Sequence, residues 1–301
     1  MINISFKKYL GRIFVHTPIH IGMGKDSTIK SFEYWIEKDK LLVGDFETLL
    51  SYLNEEKSKK LIKILEKSEN IDFLTIIKEL GMENKKSELV AKAFDFKIEG
   101  KPRIELFISH PRWKKYIPGS SIKGAILTAI YYKELIKKGF DLEKISRTNN
   151  KNEIIKVAKN LSILEKKLGR YLMVDDIEVP SEFFMIGRNI RKRLDGKNVS
   201  KFSFLECIKP DSELYVYIYL KEQKLKLSDV IASVNEFYKK RIEKIKKIFK
   251  KDFNITESND MILQIGKFGG NFTKSVINIT PKTFSFINDL PAGYISIRFK
   301  I

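Results

Sequence analysis

The sequence predicts an α+β fold with a ferredoxin-like βαββαβ core that is interrupted by helical insertions. Three observations predict it: strands that alternate apolar and polar residues, two long amphipathic helices, and the order in which they follow one another. The predicted order is strand, helix, strand, strand, helix, strand, at residues 4–16, 120–138, 172–179, 213–220, 229–250 and 293–300. RNA-recognition domains share this arrangement, although a fold alone assigns no function.

The two core helices are predicted from their starts and their apolar stripes. Pro118 and Gly119 force a turn, and Ser120 or Ser121 can cap the helix that follows, because apolar residues then recur at helical spacing. The second helix, over 229–250, carries one apolar face and a lysine-rich opposite face. Both are long enough to cover one side of a small sheet.

Two insertions are expected around this core. The core is predicted over residues 1–48 and 103–301, with a mainly helical insertion over 49–102. A further helix is predicted over 151–168.

Composition favours a polyanionic partner. The chain has 57 Lys+Arg against 38 Asp+Glu, which gives a formal net charge of +19. The alternative is a source whose proteins are all rich in lysine. Cys207 is the only cysteine, so no internal disulfide is expected. No signal peptide and no apolar run of ~20 residues is visible, so we expect a cytoplasmic protein without membrane partners.

Three glycine-bearing loops predict a surface that binds a phosphate backbone. Glycines let backbone N–H groups approach an anion, the start of a helix attracts it, and lysines add charge. The candidate RNA-binding residues are His20, Gly22, Gly24 and Lys25 in the first loop, Gly119, Ser120, Ser121, Lys123 and Gly124 in the second, and Gly266, Lys267, Gly269 and Gly270 in the third. The alternatives are ordinary turns and an ordinary helix start.

A basic hairpin near 181–205 is a fourth candidate. It is predicted to turn at Asp195-Gly196 and carries the cations Arg188, Arg191, Lys192 and Arg193. Such an arm can lie along nucleic acid and hold or kink it. The alternative is a solvated edge.

His20 and the acidic pair Asp175 and Asp176 are the residues with catalytic chemistry. His20 can act as the general base of a ribonuclease, stack on a base, or pack in its turn. Asp175 and Asp176 are expected on one strand, where neighbouring side chains point to opposite faces, so they do not form a carboxylate dyad. No metal and no cofactor is predicted.

Five segments in this order resemble motifs of the RAMP proteins of type III CRISPR–Cas systems. They are Pro18–Gly24, Ile117–Ile126, Leu172–Asp176, Glu206–Pro210 and Gly266–Gly270. Within that superfamily, the segments Asp45-Phe-Glu and Gly-Ala-Ile-Leu-Thr-Ala resemble the Csm subunit that caps the 3′ end of the crRNA. One departure is Leu127, since members usually have arginine there. The chain is also short for this subunit, so the resemblance implies that a second RRM-like unit is reduced or absent.

The resemblance implies a non-catalytic RNA-binding subunit of a type III-A complex in antiviral defence. Its partners would be crRNA, the repeated RAMP backbone subunit and the small helical subunit, and it can help to recruit trimming nucleases. Ser120, Ser121 and Lys123 match the loop expected to touch the RNA backbone, and the segment around Arg188 resembles a thumb hairpin. The alternatives are a RAMP endoribonuclease that processes precursor crRNA with His20 as base, and the repeated subunit that cuts target RNA.

Overall fold

The fold is seen in a computed structural model of the chain. It describes residues 5–24, 27–67, 71–96, 103–110, 114–148, 150–193, 195–199, 202–250, 253, 255, 260–267, 276 and 283–300. The α-helices of these residues are α1 (Phe46–Ser51), α2 (Glu55–Lys67), α3 (Phe73–Glu79), α4 (Gly119–Lys137), α5 (Leu142–Thr148), α6 (Lys151–Leu168) and α7 (Leu227–Phe249).

The strands form two larger and two smaller sheets. They are β1 (Lys7–Val15), β2 (Thr28–Ile29), β3 (Tyr34–Glu37), β4 (Lys40–Gly44), β5 (Val90–Asp95), β6 (Ile104–Glu105), β7 (Tyr116–Ile117), β8 (Leu172–Val174), β9 (Ile177–Glu178), β10 (Phe184–Arg193), β11 (Ser203–Ile208), β12 (Glu213–Leu220), β13 (Met261–Gln264), β14 (Thr283–Ile287), β15 (Leu290–Pro291) and β16 (Tyr294–Phe299).

The core sheet has the strand order β13-β16-β1-β12-β8, and all of its pairs are antiparallel. The strands β16, β1, β12 and β8 are the fourth, first, third and second strands of a βαββαβ unit, because α4 lies between β1 and β8 and α7 lies between β12 and β16. The predicted ferredoxin-like core is therefore confirmed. Strand β13 is added at the edge beside β16.

Alternation along the strands explains why one face of this sheet is covered. On β12, Leu214, Val216 and Ile218 are buried, whereas Tyr215 and Tyr217 between them are exposed. Helices α4 and α7 contact each other and the sheet, and their apolar stripes supply the other half of the core. The helices thus have a fixed position against the buried face.

The second sheet has the order β15-β14-β10-β11-β6-β2. The predicted basic hairpin is its β10–β11 pair, with Asn189 opposite Ser203. Its turn lies at Asp195-Gly196, where Gly196 has φ +80° and donates its N–H to the Arg193 carbonyl over 3.0 Å. Strand β10 also pairs with β14 over Asn189–Arg193, so the part of the hairpin nearest its turn belongs to the sheet and is not a free arm. The second RRM-like unit stays a prediction.

A separate apolar cluster holds the insertion together. It joins α1, α2 and α3 to the three-stranded sheet β3-β4-β5, and Trp35 stacks on Phe73 with ring centroids 5.7 Å apart. The core of this unit draws on residues from both sides of the predicted boundary at residue 49. Among the helices described here, none is long and apolar enough to span a bilayer.

Candidate nucleic-acid interface

Parts of all three predicted loops line one cavity of about 440 Å³. We call this cavity the groove. Its walls are Ile21 and Gly22 of the first loop, Ser120, Ser121, Gly124, Ala125 and Thr128 of α4, and Ile265, Gly266 and Lys267 of the third loop, with Tyr238 and Gln264 beneath. The structure therefore places hydroxyl groups, glycines and a lysine side by side, although they are far apart in the sequence.

The first and third loops are joined by backbone contacts. The Lys267 N–H donates to the His20 carbonyl over 2.9 Å. Gly266 has φ +94°, and a Cβ at this position would lie 2.5 Å from the His20 carbonyl oxygen. Only glycine fits here without displacing the first loop. Gly266 is thus explained by the contact between the loops, and it fixes one wall of the groove.

The start of α4 differs from the prediction in its capping. Pro118 is the N-cap and Gly119 the first helical residue, so neither Ser120 nor Ser121 caps the helix. The Gly119 N–H donates to Asp176 Oδ1 over 2.7 Å, and a Cβ on Gly119 would lie 2.1 Å from a backbone oxygen of β8. Gly119 is buried against this strand. The prediction that it opens the backbone to a ligand is therefore wrong.

Asp175 and Asp176 lie between β8 and β9, which divide the single strand predicted over 172–179. Their role is structural, because Asp176 accepts from the start of α4 and Asp175 accepts from the Tyr219 hydroxyl over 2.9 Å. A carboxylate at the first turn is favourable because the positive end of the helix dipole lies there. The Asp176 carboxylate also accepts from one of the N–H groups that the sequence analysis predicted to bind phosphate.

Gly124 keeps the position that the prediction needs, whereas Lys123 precedes it on α4 and is not among the described residues that line the groove. Gly124 is exposed within α4, and no atom from another described segment lies within 4 Å of the place that its Cβ would occupy. Lys123 is half-buried and forms no hydrogen bond or ion pair with other described residues. Ser120 is exposed and Ser121 is half-buried. The uncompensated cation Lys123 and the open backbone of Gly124 follow them along the helix.

His20 packs inside its turn. Its ring is buried, Nδ1 lies 2.8 Å from the Glu206 carbonyl oxygen, and Nε2 lies 3.8 Å from Glu105 Oε2. Burial lowers the pKa of His20, which favours the neutral ring. Of the three roles left open by the sequence, packing is the one observed. The ring does not reach the surface at which RNA contact or base catalysis was predicted.

Sequence reasoning missed Glu206, a buried carboxylate on β11. It accepts the Phe107 N–H over 3.1 Å and pairs with Lys92 over 3.3 Å and with Lys115. Desolvation lowers the pKa of Lys92. Because the Glu206 backbone holds His20, this network supports the first loop from below. The available signal was a single carboxylate inside an otherwise apolar strand.

The remaining predicted residues lie elsewhere. Within the described part of the chain, none of the four hairpin cations lines the groove, and Arg188 instead stacks over Phe202 at 4.2 Å. Lys192 pairs with Asp289 over 3.1 Å, whereas Arg191 and Arg193 are exposed.

Gly24 of the first loop is exposed, with φ +122°, and does not line the groove. Three predicted residues lie outside the described residues: Lys25, Gly269 and Gly270.

Comparisons with known proteins agree with the observed fold. The sequence model of the RAMP superfamily matches residues 12–273. A chain from the cryo-EM structure of a Csm–crRNA–target RNA ternary complex of a type III-A CRISPR–Cas system superposes with a TM-score of 0.68 and 15% identity, covering 97% of this chain and 100% of that one. Csm5 of T. onnurineus superposes with a TM-score of 0.67 and 18% identity, covering 95% of this chain and 99% of that one. No curated protein matches. At these identities, the two structures show a shared fold.

Proposed function

The chain belongs to the RAMP superfamily, and from this premise we propose that it is a crRNA-binding subunit of a type III-A Csm effector complex. The observation that carries the proposal is the groove, in which Ser120, Ser121 and Gly124 of α4 line one cavity with the third loop. Lys267 of that loop pairs with Glu105 beside the groove. Hydroxyl donors beside open backbone suit sugar-phosphate oxygens. The formal charge of +19 adds a long-range attraction to any RNA.

The finer proposal is that the subunit caps the 3′ end of the crRNA. Support comes from the likeness to T. onnurineus Csm5 along almost the whole of both chains. In this role it packs against the repeated RAMP backbone subunit, lies near the small helical subunit, and helps to recruit trimming nucleases. The basic hairpin, whose Arg191 and Arg193 are exposed, is a second RNA contact in this proposal.

The position of His20 favours binding over cleavage. A general base must come within hydrogen-bond reach of the proton that it removes. The His20 ring is buried and already contacts a backbone carbonyl, so it does not meet a substrate hydroxyl at the groove surface. The endoribonuclease alternative therefore has no observation in its favour, and the proposed subunit is non-catalytic.

The test is RNA binding by the Lys123→Glu variant of the full chain, measured by fluorescence anisotropy with a crRNA 3′ fragment over a series of salt concentrations. Because Lys123 lies in the first turns of α4, glutamate there agrees with the helix dipole and the fold is expected to persist. We expect about a tenfold loss of affinity and a salt slope that is smaller by about 0.7.

The matched control is Lys63→Glu, the same charge change on an exposed residue of α2 in the insertion. Both variants change the net charge equally, so a general electrostatic effect lowers affinity in both. A Lys123→Glu protein that binds like Lys63→Glu would remove the start of α4 from the proposed RNA site.

A further inference from the structure

A second cavity adjoins the groove. It has a volume of about 460 Å³ and shares Gly124 and Thr128 with the groove. Its other walls include Leu127 and Tyr131 of α4 and Leu161 and Glu165 of α6. Since Gly124 carries no side chain, nothing from this residue divides the two spaces. They therefore lie side by side along the surface of α4.

The two cavities differ in the residues that line them. The groove offers serine hydroxyls and glycine backbone, whereas the second cavity places Leu127, Tyr131 and Leu161 beside the carboxylate of Glu165. Tyr131 is only 7% exposed, and burial raises its pKa to about 12, so the phenol is neutral. Apolar side chains beside a carboxylate suit a flat uncharged group and not a phosphate.

We propose that this second cavity holds one unstacked nucleobase of an RNA strand whose sugar-phosphate lies in the groove. The inference rests on the proposed function and adds the part of the nucleotide that the groove does not explain. From Ser120 to Gly124, and from Gly124 to Thr128, each step along α4 is about one turn, or roughly 6 Å. That distance suits a ribose that crosses Gly124 with its phosphate on one side and its base on the other.

Glu165 gives this base pocket a preference. Its carboxylate is exposed at the cavity and forms no hydrogen bond or ion pair with the described residues. A carboxylate only accepts hydrogen bonds, so it favours a base edge that carries an exocyclic amine. Cytosine presents its N4 amine where uracil presents the O4 carbonyl, which a carboxylate repels. The pocket therefore prefers cytosine to uracil.

The experiment compares single-stranded oligo(rC) and oligo(rU) of equal length, at one salt concentration, by fluorescence anisotropy. For the wild-type chain we expect oligo(rC) to bind about fivefold more tightly. In Glu165→Gln, the new amide can donate to O4 of uracil, so the preference falls to about twofold or less. Because Glu165 is exposed, we expect the variant to keep its fold, and a thermal melt checks this.

The matched control is Glu153→Gln, which removes the same charge from α6 at a distance of twelve residues, or about 18 Å. It should keep the wild-type preference. Equal wild-type affinity for the two oligonucleotides, or a preference unchanged in Glu165→Gln, overturns the base pocket and leaves the groove proposal standing. A wild-type chain that binds neither oligonucleotide overturns both proposals.

Discussion

Gly124→Ala should make the protein more stable and its RNA complex weaker. Gly124 lies inside α4, where alanine is favoured over glycine by about 0.8–1 kcal/mol. The new Cβ meets no atom from the other segments that the structure describes within 4 Å, so they do not oppose this gain. For a domain of this size, the expected rise in Tm is about 2 °C.

The same methyl group enters the groove where the proposed strand crosses the helix. It moves the surface outward by about one carbon–carbon bond, and each hydrogen bond to the RNA that is lost removes about 0.5–1.5 kcal/mol. We expect affinity for a crRNA 3′ fragment to fall about tenfold, which corresponds to about 1.4 kcal/mol. Gly124→Leu fills more of the groove and should lower affinity further.

Thermal melts and fluorescence anisotropy on the same preparations measure the two effects. Ser162→Ala is the control, because it removes a poorer helix former from an exposed position of α6 that lines neither cavity. It should raise Tm slightly and leave RNA binding unchanged. Wild-type affinity in Gly124→Ala, together with a higher Tm, would refute the reasoning that RNA crosses α4 at this glycine.

Other substitutions test the supports of the groove. Asp176→Ala removes the carboxylate that accepts from Gly119 and should lower the free energy of unfolding by about 1 kcal/mol in urea; an unchanged midpoint would contradict this role. Glu206→Gln leaves Lys92 without its buried anion and should lower the free energy of unfolding by about 3 kcal/mol, whereas a loss below 1 kcal/mol would show that the network contributes little. Burial lowers the pKa of His16 and His20, so stability is full above their ordinary pKa of 6.5 and decreases as pH falls below it. Urea midpoints at pH 7.5 and 5.5 measure this loss, and His20→Gln should reduce it.

Local periodicity predicted the core because each element carries its own pattern. The helix expected over 151–168 is observed as Lys151–Leu168, and the strands and helices of the βαββαβ unit appear in the predicted order. The strand expected over 172–179 is broken because Asp175 and Asp176 form side-chain contacts that an uninterrupted strand does not provide. Such contacts join residues that are distant in sequence, and no local pattern reveals them.

The same limit applies to the groove. The positions of the glycines predicted where the backbone could approach another group closely, but they did not predict which group lies there. Gly266 approaches the His20 carbonyl and Gly119 approaches β8, whereas Gly124 faces open space. The burial of His20 depends on Glu206, which lies 186 residues further along the chain. Sequence reasoning therefore identified the loops that meet and could not assign the task of each residue in them.

Lys92 is a strand residue of the insertion, yet its ammonium group pairs with Glu206 of the second sheet. A shortened protein that lacks the insertion would keep Glu206 and lose one of its two cations. The Glu206 carboxylate would then pair with Lys115 alone, and the backbone carbonyl that contacts His20 would lose part of its support. Transplanting a foreign insertion at this place therefore requires a lysine or arginine at the position equivalent to Lys92, whatever the rest of its sequence.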